Sequence, residues 1–233
     1  MINGHLRNRR QSEFARFIEV LGSDDLRCDD LPHMHGMGRR ERRAAQTRLR
    51  LFRSALQLFA ERGFPNVTVE DITEAADVGK GTFFNYFESK DHIMGVMAEV
   101  QLGKVREALE HAKQGRRPVQ SVLHRLFERV AEEPGRSPEL ARALISSFLA
   151  NEQIRSLLHD NMAEGRRLAA SIIEIGQKRG EIDPKVKKEE AALHLQQAFI
   201  GTLLLWSMRG EPKLQSVIEA SFEHYWRAIA ASR

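Results

Sequence analysis

The sequence predicts an all-α fold, and three observations carry that reading. Apolar residues recur at three- and four-residue spacing in one segment after another, and glycine and proline punctuate those segments. Valine, isoleucine and tyrosine never fall into the alternating runs that mark strands. With 42% apolar residues in 233, the chain has enough material for a real core.

The first strong element ends near position 63. Leu49, Phe52, Ala55, Leu56 and Phe59 share one helical face, Gly63 is a C-terminal stop, and Pro65 prevents continuation. Its approach, GRRERRAAQTRLR, sets Arg39, Arg40, Arg42, Arg43, Arg48 and Arg50 against the single Glu41. Alone, such a run reads as a solvated helix face. Beside the motif that follows it reads as phosphate-seeking, with arginines for a minor groove or for backbone charge.

Residues 68–90, TVEDITEAADVGKGTFFNYFESK, read as two short helices around a tight turn with a third helix beginning at once, the layout of a helix-turn-helix DNA reader. Thr68 is placed to N-cap the first helix with Asp71 as capping-box partner, so that helix begins at about Val69 and shows Ile72, Ala75 and Ala76 on a narrow apolar face. Asp77, Val78 and Gly79 break the pattern; the glycine is expected to take the turn conformation and Val78 to plug the gap between helices. The second helix is expected over 80–86, with Phe83 and Phe87 on a common face and Lys80, Thr82 and Asn85 outward. Ser89 then N-caps the next helix. That leaves Lys90 in a first turn, where the helix dipole disfavours a cation and a bound phosphate would relieve the conflict.

Beyond the motif, a long helix is expected through Ile93, Met97, Val100 and Val105 toward Leu109, ending in the turn marked by Gly115 and Pro118. Further helices follow in VQSVLHRLFERVA, in PELARALISSFLA and over 151–179, which stops at Gly180. Two more carry the clearest stripes: Ala192, Leu195, Phe199, Thr202, Leu203 and Trp206 over 189–208, and Ile218, Phe222, Tyr225 and Ile229 over 214–229. Such stripes are core first, and Phe199, Trp206, Phe222 and Tyr225 are expected to serve core and dimer interface together.

The stretch 43–97, above all TVEDITEAADVGKGTFFNYFESKDHI, resembles the DNA-binding domain of the TetR family of bacterial transcriptional regulators. The GEIDP stretch before two final apolar helices matches that family's layout in the C-terminal half. The resemblance implies an N-terminal three-helix helix-turn-helix domain joined by a linking helix to a C-terminal helical ligand-binding and dimerisation domain. The corresponding boundaries are a flexible extension over 1–38, the DNA-binding domain over 39–97 and the effector-binding, dimerising domain over 98–233. Phosphate contacts are implied for Thr68, Tyr86 and Lys90, and groove contacts for Lys80, Gly81, Thr82 and Asn85, with Arg39, Arg40 and Arg43 in support. Two positions depart from the pattern: Phe84 stands where many relatives have tyrosine and would touch a thymine methyl or sugar, and Gly79 stands where serine is common. An effector pocket is implied, with Met97, Gln101, Phe127, Phe148, His159, Met162 and Gln197 as candidate lining of mixed polar and apolar character.

The function expected from the resemblance is a sequence-specific, homodimeric repressor released from its double-stranded DNA operator by a small hydrophobic effector. The competing class is a helical dimeric interaction module that keeps the fold without ligand-controlled DNA binding; Lys80, Thr82, Tyr86 and Lys90 stand against it. The formal net charge of +4 and pI near 9.4 suit an acidic partner, the positive excess being concentrated before and around the motif.

Other chemistry finds little footing. GKGT at Gly79 lacks the earlier glycine and the preceding strand of a phosphate-binding loop. His92, His111, His124, His159, His194 and His224 are isolated, and no nucleophile meets a base, so neither an enzyme nor a bound cofactor is expected. The longest apolar stretch, AFIGTLLLWSM, is shorter than the roughly 20 residues that cross a bilayer. Cys28 is the only cysteine and no signal-peptide core is visible, which points to a reducing cytoplasm. Within 1–38, Phe14, Phe17, Ile18 and Leu21 suggest a short amphipathic helix, Met34 and Met37 are alternative starts, and Cys28, His33 and His35 lack the fourth ligand a metal site needs.

Overall fold

The computed structural model describes residues 38–231. The expectations for Phe14, Phe17, Ile18, Leu21, Cys28, His33, Met34, His35 and Met37 lie outside the described residues. Among the described residues there are nine α-helices and no strand. We number the helices α1 (Arg39–Arg62), α2 (Val69–Ala75), α3 (Lys80–Phe84), α4 (Lys90–Gln114), α5 (Val119–Ala131), α6 (Pro138–Ala150), α7 (Glu152–Lys178), α8 (Lys188–Arg209) and α9 (Leu214–Ile229). Among the described residues, no helix is long and apolar enough to cross a membrane.

Local chemistry explains most boundaries. Gly63 stops α1 with φ 76°, and Gly115 and Gly210, at φ 71° and 75°, follow α4 and α8 in the same left-handed region. Ser137 and Asn151 cap α6 and α7 by accepting the backbone N–H of Leu140 and Ile154 at 3.1 and 3.0 Å. Pro118 cannot cap α5 with a side chain; Glu181 substitutes, accepting the Val119 N–H at 2.6 Å. Short 3₁₀ turns at Phe64–Asn66 and Pro134–Arg136, each with a proline at its start, were not visible as elements in the periodicity.

Contacts divide the described residues into two units, one of 38–56 with Thr68–Gly103, the other of Gln57–Val67 with 104–231. The first unit buries Leu49, Phe52, Ala55, Leu56, Ile72, Phe83, Phe87, Ile93 and Met97. Its turn differs from expectation. Asp77, not Gly79, takes the left-handed backbone, at φ 51°, while Gly79 is extended at φ −73° and ψ 151° as the N-cap of α3. Aspartate tolerates that region, and an extended residue is what an N-cap requires. The second short helix also closes earlier than 86, with Asn85 as its C-cap.

In the second unit α8 packs on α6, α7 and α9. The four aromatics assigned to core and interface together are held by the protomer itself. Trp206, Phe222 and Tyr225 are buried, Phe222 lies 5.9 Å from Phe127 between ring centroids, and Tyr225 donates its hydroxyl to the Ala191 carbonyl at 3.0 Å. Phe199, half-buried, meets Phe127 edge-on at 5.5 Å. The apolar surface of α8 instead belongs to Leu193, Ile200, Leu205 and Met208, which are exposed. The helix is apolar on two faces, and the stripe chosen from sequence is the inner one.

The pocket candidates are divided between the two units. Met97 and Gln101 belong to the first unit; in the second, Phe127 is a core residue, Phe148 and Met162 are half-buried, and His159 and Gln197 are exposed. Gln196, next to Gln197, is a polar α8 side chain turned toward α7. It accepts from Arg166 at 2.7 Å and donates to the Met162 carbonyl at 3.3 Å.

Candidate nucleic-acid interface

The interface is built by α1 up to Leu56, α2, α3 and the first turn of α4, all within the first unit. At the start of α2 the capping box is complete: the Asp71 N–H donates to Thr68 Oγ1 at 3.1 Å, and the Thr68 N–H donates to Asp71 Oδ2 at 2.7 Å. The Thr68 hydroxyl donates to the same carboxylate oxygen at 2.6 Å, so a phosphate at this cap must compete with Asp71 for that proton.

Helix α3 is sealed on one side and open on the other. Phe83 and Phe87 are fully buried, with ring centroids 5.6 Å apart. Lys80, Gly81, Phe84 and Asn85 are exposed, while Thr82 and Tyr86 are half-buried. The Phe84 ring stands edge-on to Phe83 at 5.4 Å with 51% of the residue in solvent, an apolar surface at the place where a hydroxyl was the alternative. A β-carbon built on Gly79 or Gly81 meets nothing within 4 Å. No packing reason inside the protein therefore calls for glycine at position 81.

Charge is arranged around this helix. Lys80 is ion-paired with Glu70 of α2, and the hydrogen bond from Lys80 holds the Glu70 carboxyl below its usual range. Arg39, Arg40 and Arg43 are exposed at the beginning of α1, whose first turn Glu41 closes by accepting the Gly38 N–H at 3.1 Å. Arg48 departs from the phosphate-seeking reading. It is 9% exposed, and its guanidinium lies 5.5 Å from the centroid of the Phe87 ring.

The N-terminus of α4 is closed by two side-chain acceptors. Ser89 Oγ accepts the His92 N–H at 3.2 Å, and His92 Nδ1 accepts the Glu88 N–H at 3.1 Å. The histidine stands at the position of a capping-box glutamate but reaches one residue further back, to the N–H before the cap. It must be unprotonated at Nδ1, and burial pushes its pKa below the ordinary value. Lys90, half-buried, is the first residue of this helix. Sequence reasoning missed Glu70, the packing of Arg48 and the cap by His92. Only the last had a local signal, the three-residue spacing from Ser89.

A family model described as "Bacterial regulatory proteins, tetR family" matches residues 51–96, which include α2 and α3. The HTH-type transcriptional regulator TcmR of Streptomyces glaucescens is 36% identical over 88 residues, 38% of this chain and 39% of TcmR. The matching region thus spans about two fifths of that relative. The HTH-type transcriptional repressor KstR2 of Rhodococcus jostii (strain RHA1) is 28% identical over 148 residues, 62% of this chain and 72% of KstR2. Among solved structures, FadR of Thermus thermophilus, a TetR-family transcriptional repressor in complex with lauroyl-CoA, is similar with a TM-score of 0.54 and 25% identity, over 76% of this chain and 92% of FadR.

Proposed function

We propose, for a chain that belongs to the TetR family of bacterial regulatory proteins, that it is a sequence-specific DNA-binding transcriptional regulator acting as a homodimeric repressor. The observation that carries this reading is the division of α3: Phe83 and Phe87 fix it in the core, and Lys80, Gly81, Phe84 and Asn85 are left outward with open space over Gly81. A recognition helix needs that division, one side anchored and one side free to approach base edges. Arg39, Arg40 and Arg43 supply positive charge, and Thr68, Tyr86 and Lys90 are the groups assigned to phosphates.

A second copy supplies the second recognition helix. The outer face of α8, with Leu193, Ile200, Leu205 and Met208 exposed, is the apolar surface we assign to that contact. Two recognition helices read successive major grooves only when they stand about one helical turn apart, roughly 34–36 Å. A small, mainly apolar effector that prefers a dimer with different spacing would therefore release the operator. The T. thermophilus FadR complex with lauroyl-CoA supports an effector that carries an apolar chain.

Selection from randomised duplexes tests the reading. The protein should enrich an inverted repeat, bind it in a salt-sensitive way, and lose affinity as log salt rises with a slope near the number of phosphates neutralised. Enrichment of no sequence would overturn it and favour a protein-binding module.

A further inference from the structure

The recognition helix carries a charge on its margin that DNA affinity alone does not explain. Glu70 is the second residue of α2 and Lys80 the first of α3, and the two side chains are 62% and 56% exposed, on the side of the motif left open to solvent. An anion so close to the bases and phosphates of a docked duplex would weaken all DNA binding by repulsion. We propose that Glu70 is a specificity-determining residue: it holds the Lys80 ammonium toward a base edge and away from the nearest phosphate. This inference rests on the regulator reading above.

The chemistry of lysine makes an orienting partner effective. Its ammonium is a compact charge on a flexible four-carbon stem, without the fixed fork that orients arginine. An unrestrained Lys80 would reach whichever phosphate lay nearest, a contact that every sequence offers. The bond to Glu70 takes one of its three donors and limits where the other two point. Glu70 itself is anchored, since it lies in the first turn of a helix fixed by the Thr68–Asp71 box, and the positive end of the α2 dipole favours its charge. Lys80, in contrast, starts α3 at the end where a cation is disfavoured and where Gly79 gives no side-chain cap. The carboxylate relieves that conflict without DNA. In a matched complex the ammonium keeps Glu70 and adds the N7 and O6 acceptors of a guanine, which offset the repulsion. In an unmatched complex the repulsion remains and nothing replaces it.

Titrations of wild type, Glu70→Gln, Lys80→Ala and the double variant, each against the selected operator and an unrelated duplex, test the idea. Glu70→Gln is expected to bind the unrelated duplex more tightly and to lower the operator-to-unrelated affinity ratio about five- to tenfold, the low end of what one base contact discriminates. The salt slope on unrelated DNA should steepen by about one as Lys80 joins a phosphate. In the Lys80→Ala background the Glu70 change should leave the ratio unaltered. The ratio does not depend on the fraction of protein folded, because both duplexes are titrated with one sample. Equal tightening on both duplexes would overturn the proposal, reducing Glu70 to a repelling charge. A wild-type protein with no preference between duplexes would instead overturn the regulator reading itself.

Discussion

Arg48 stands with its guanidinium 5.5 Å from the centroid of the Phe87 ring, the arginine 9% exposed and the ring sealed from solvent. A desolvated cation over an aromatic face contributes about 2 kcal/mol, and the planar guanidinium also stacks as an ammonium does not. Arg48→Lys is therefore expected to destabilise the protein by about 1–2 kcal/mol in urea denaturation. Operator affinity, measured well below the unfolding transition, should change little. Arg43→Ala should do the reverse, with stability intact and affinity lowered on all sequences.

His92 makes the same unit sensitive to acid. Its imidazole accepts the Glu88 N–H through Nδ1, and burial holds its folded pKa below the ordinary value of about 6.5. Above that value both folded and unfolded chains carry a neutral histidine, and it adds no pH dependence. Below it the unfolded chain takes up the proton first, so stability falls as pH falls until the folded histidine titrates too. The urea midpoint of the wild type should drop between pH 7.5 and 5.5, a range above most carboxylate titrations. His92→Gln, which keeps an acceptor for Glu88 without a proton to gain, should show a shallower drop.

These residues also mark where the sequence was legible. Helices α5, α6 and α9 read correctly to their ends because stripe, proline and glycine are all local signals. The Thr68–Asp71 cap was legible for the same reason, both partners lying within one turn. The turn was not, since Asp77 and Gly79 can each take a left-handed backbone and only the requirement for an extended N-cap decides between them. Glu70 and Lys80 are ten residues apart across that turn, beyond any spacing rule for one helix. On α8, with Trp206 buried and Leu205 exposed beside it, period alone does not say which apolar face meets the rest of the protomer.

A buried charge cluster in the second unit gives a further test. Lys104 has no exposed side-chain surface; it donates to the Arg129 carbonyl and lies 2.6 Å from Glu133, which is 6% exposed, and 3.3 Å from Glu132. Arg129 pairs with Glu107 at 2.8 Å, which ties α4 and α5 together a second time. Removing one partner leaves the other charge buried, so Lys104→Met should cost about 3–5 kcal/mol. Pairing it with Glu133→Gln should restore part of that loss, because the stranded carboxylate is then neutral. Urea denaturation of both single variants and the double variant gives the coupling directly, and additive losses would show that Glu133 is not the partner that matters.

Gly81 separates stability from function most sharply. It lies inside α3, where glycine costs about 0.5–1 kcal/mol relative to alanine, and an added β-carbon would touch nothing within 4 Å. Gly81→Ala should therefore fold at least as well as the wild type, with a gain of up to about 1 kcal/mol in urea denaturation. If this position faces the duplex closely, the same methyl group stands between α3 and the base edges. Operator affinity should then fall by tenfold or more while affinity for unrelated DNA, held mainly through phosphates, changes much less. A more stable variant that binds its operator as tightly as the wild type would move the close approach away from Gly81, leaving Lys80 and Asn85 as the groove-reading positions of α3.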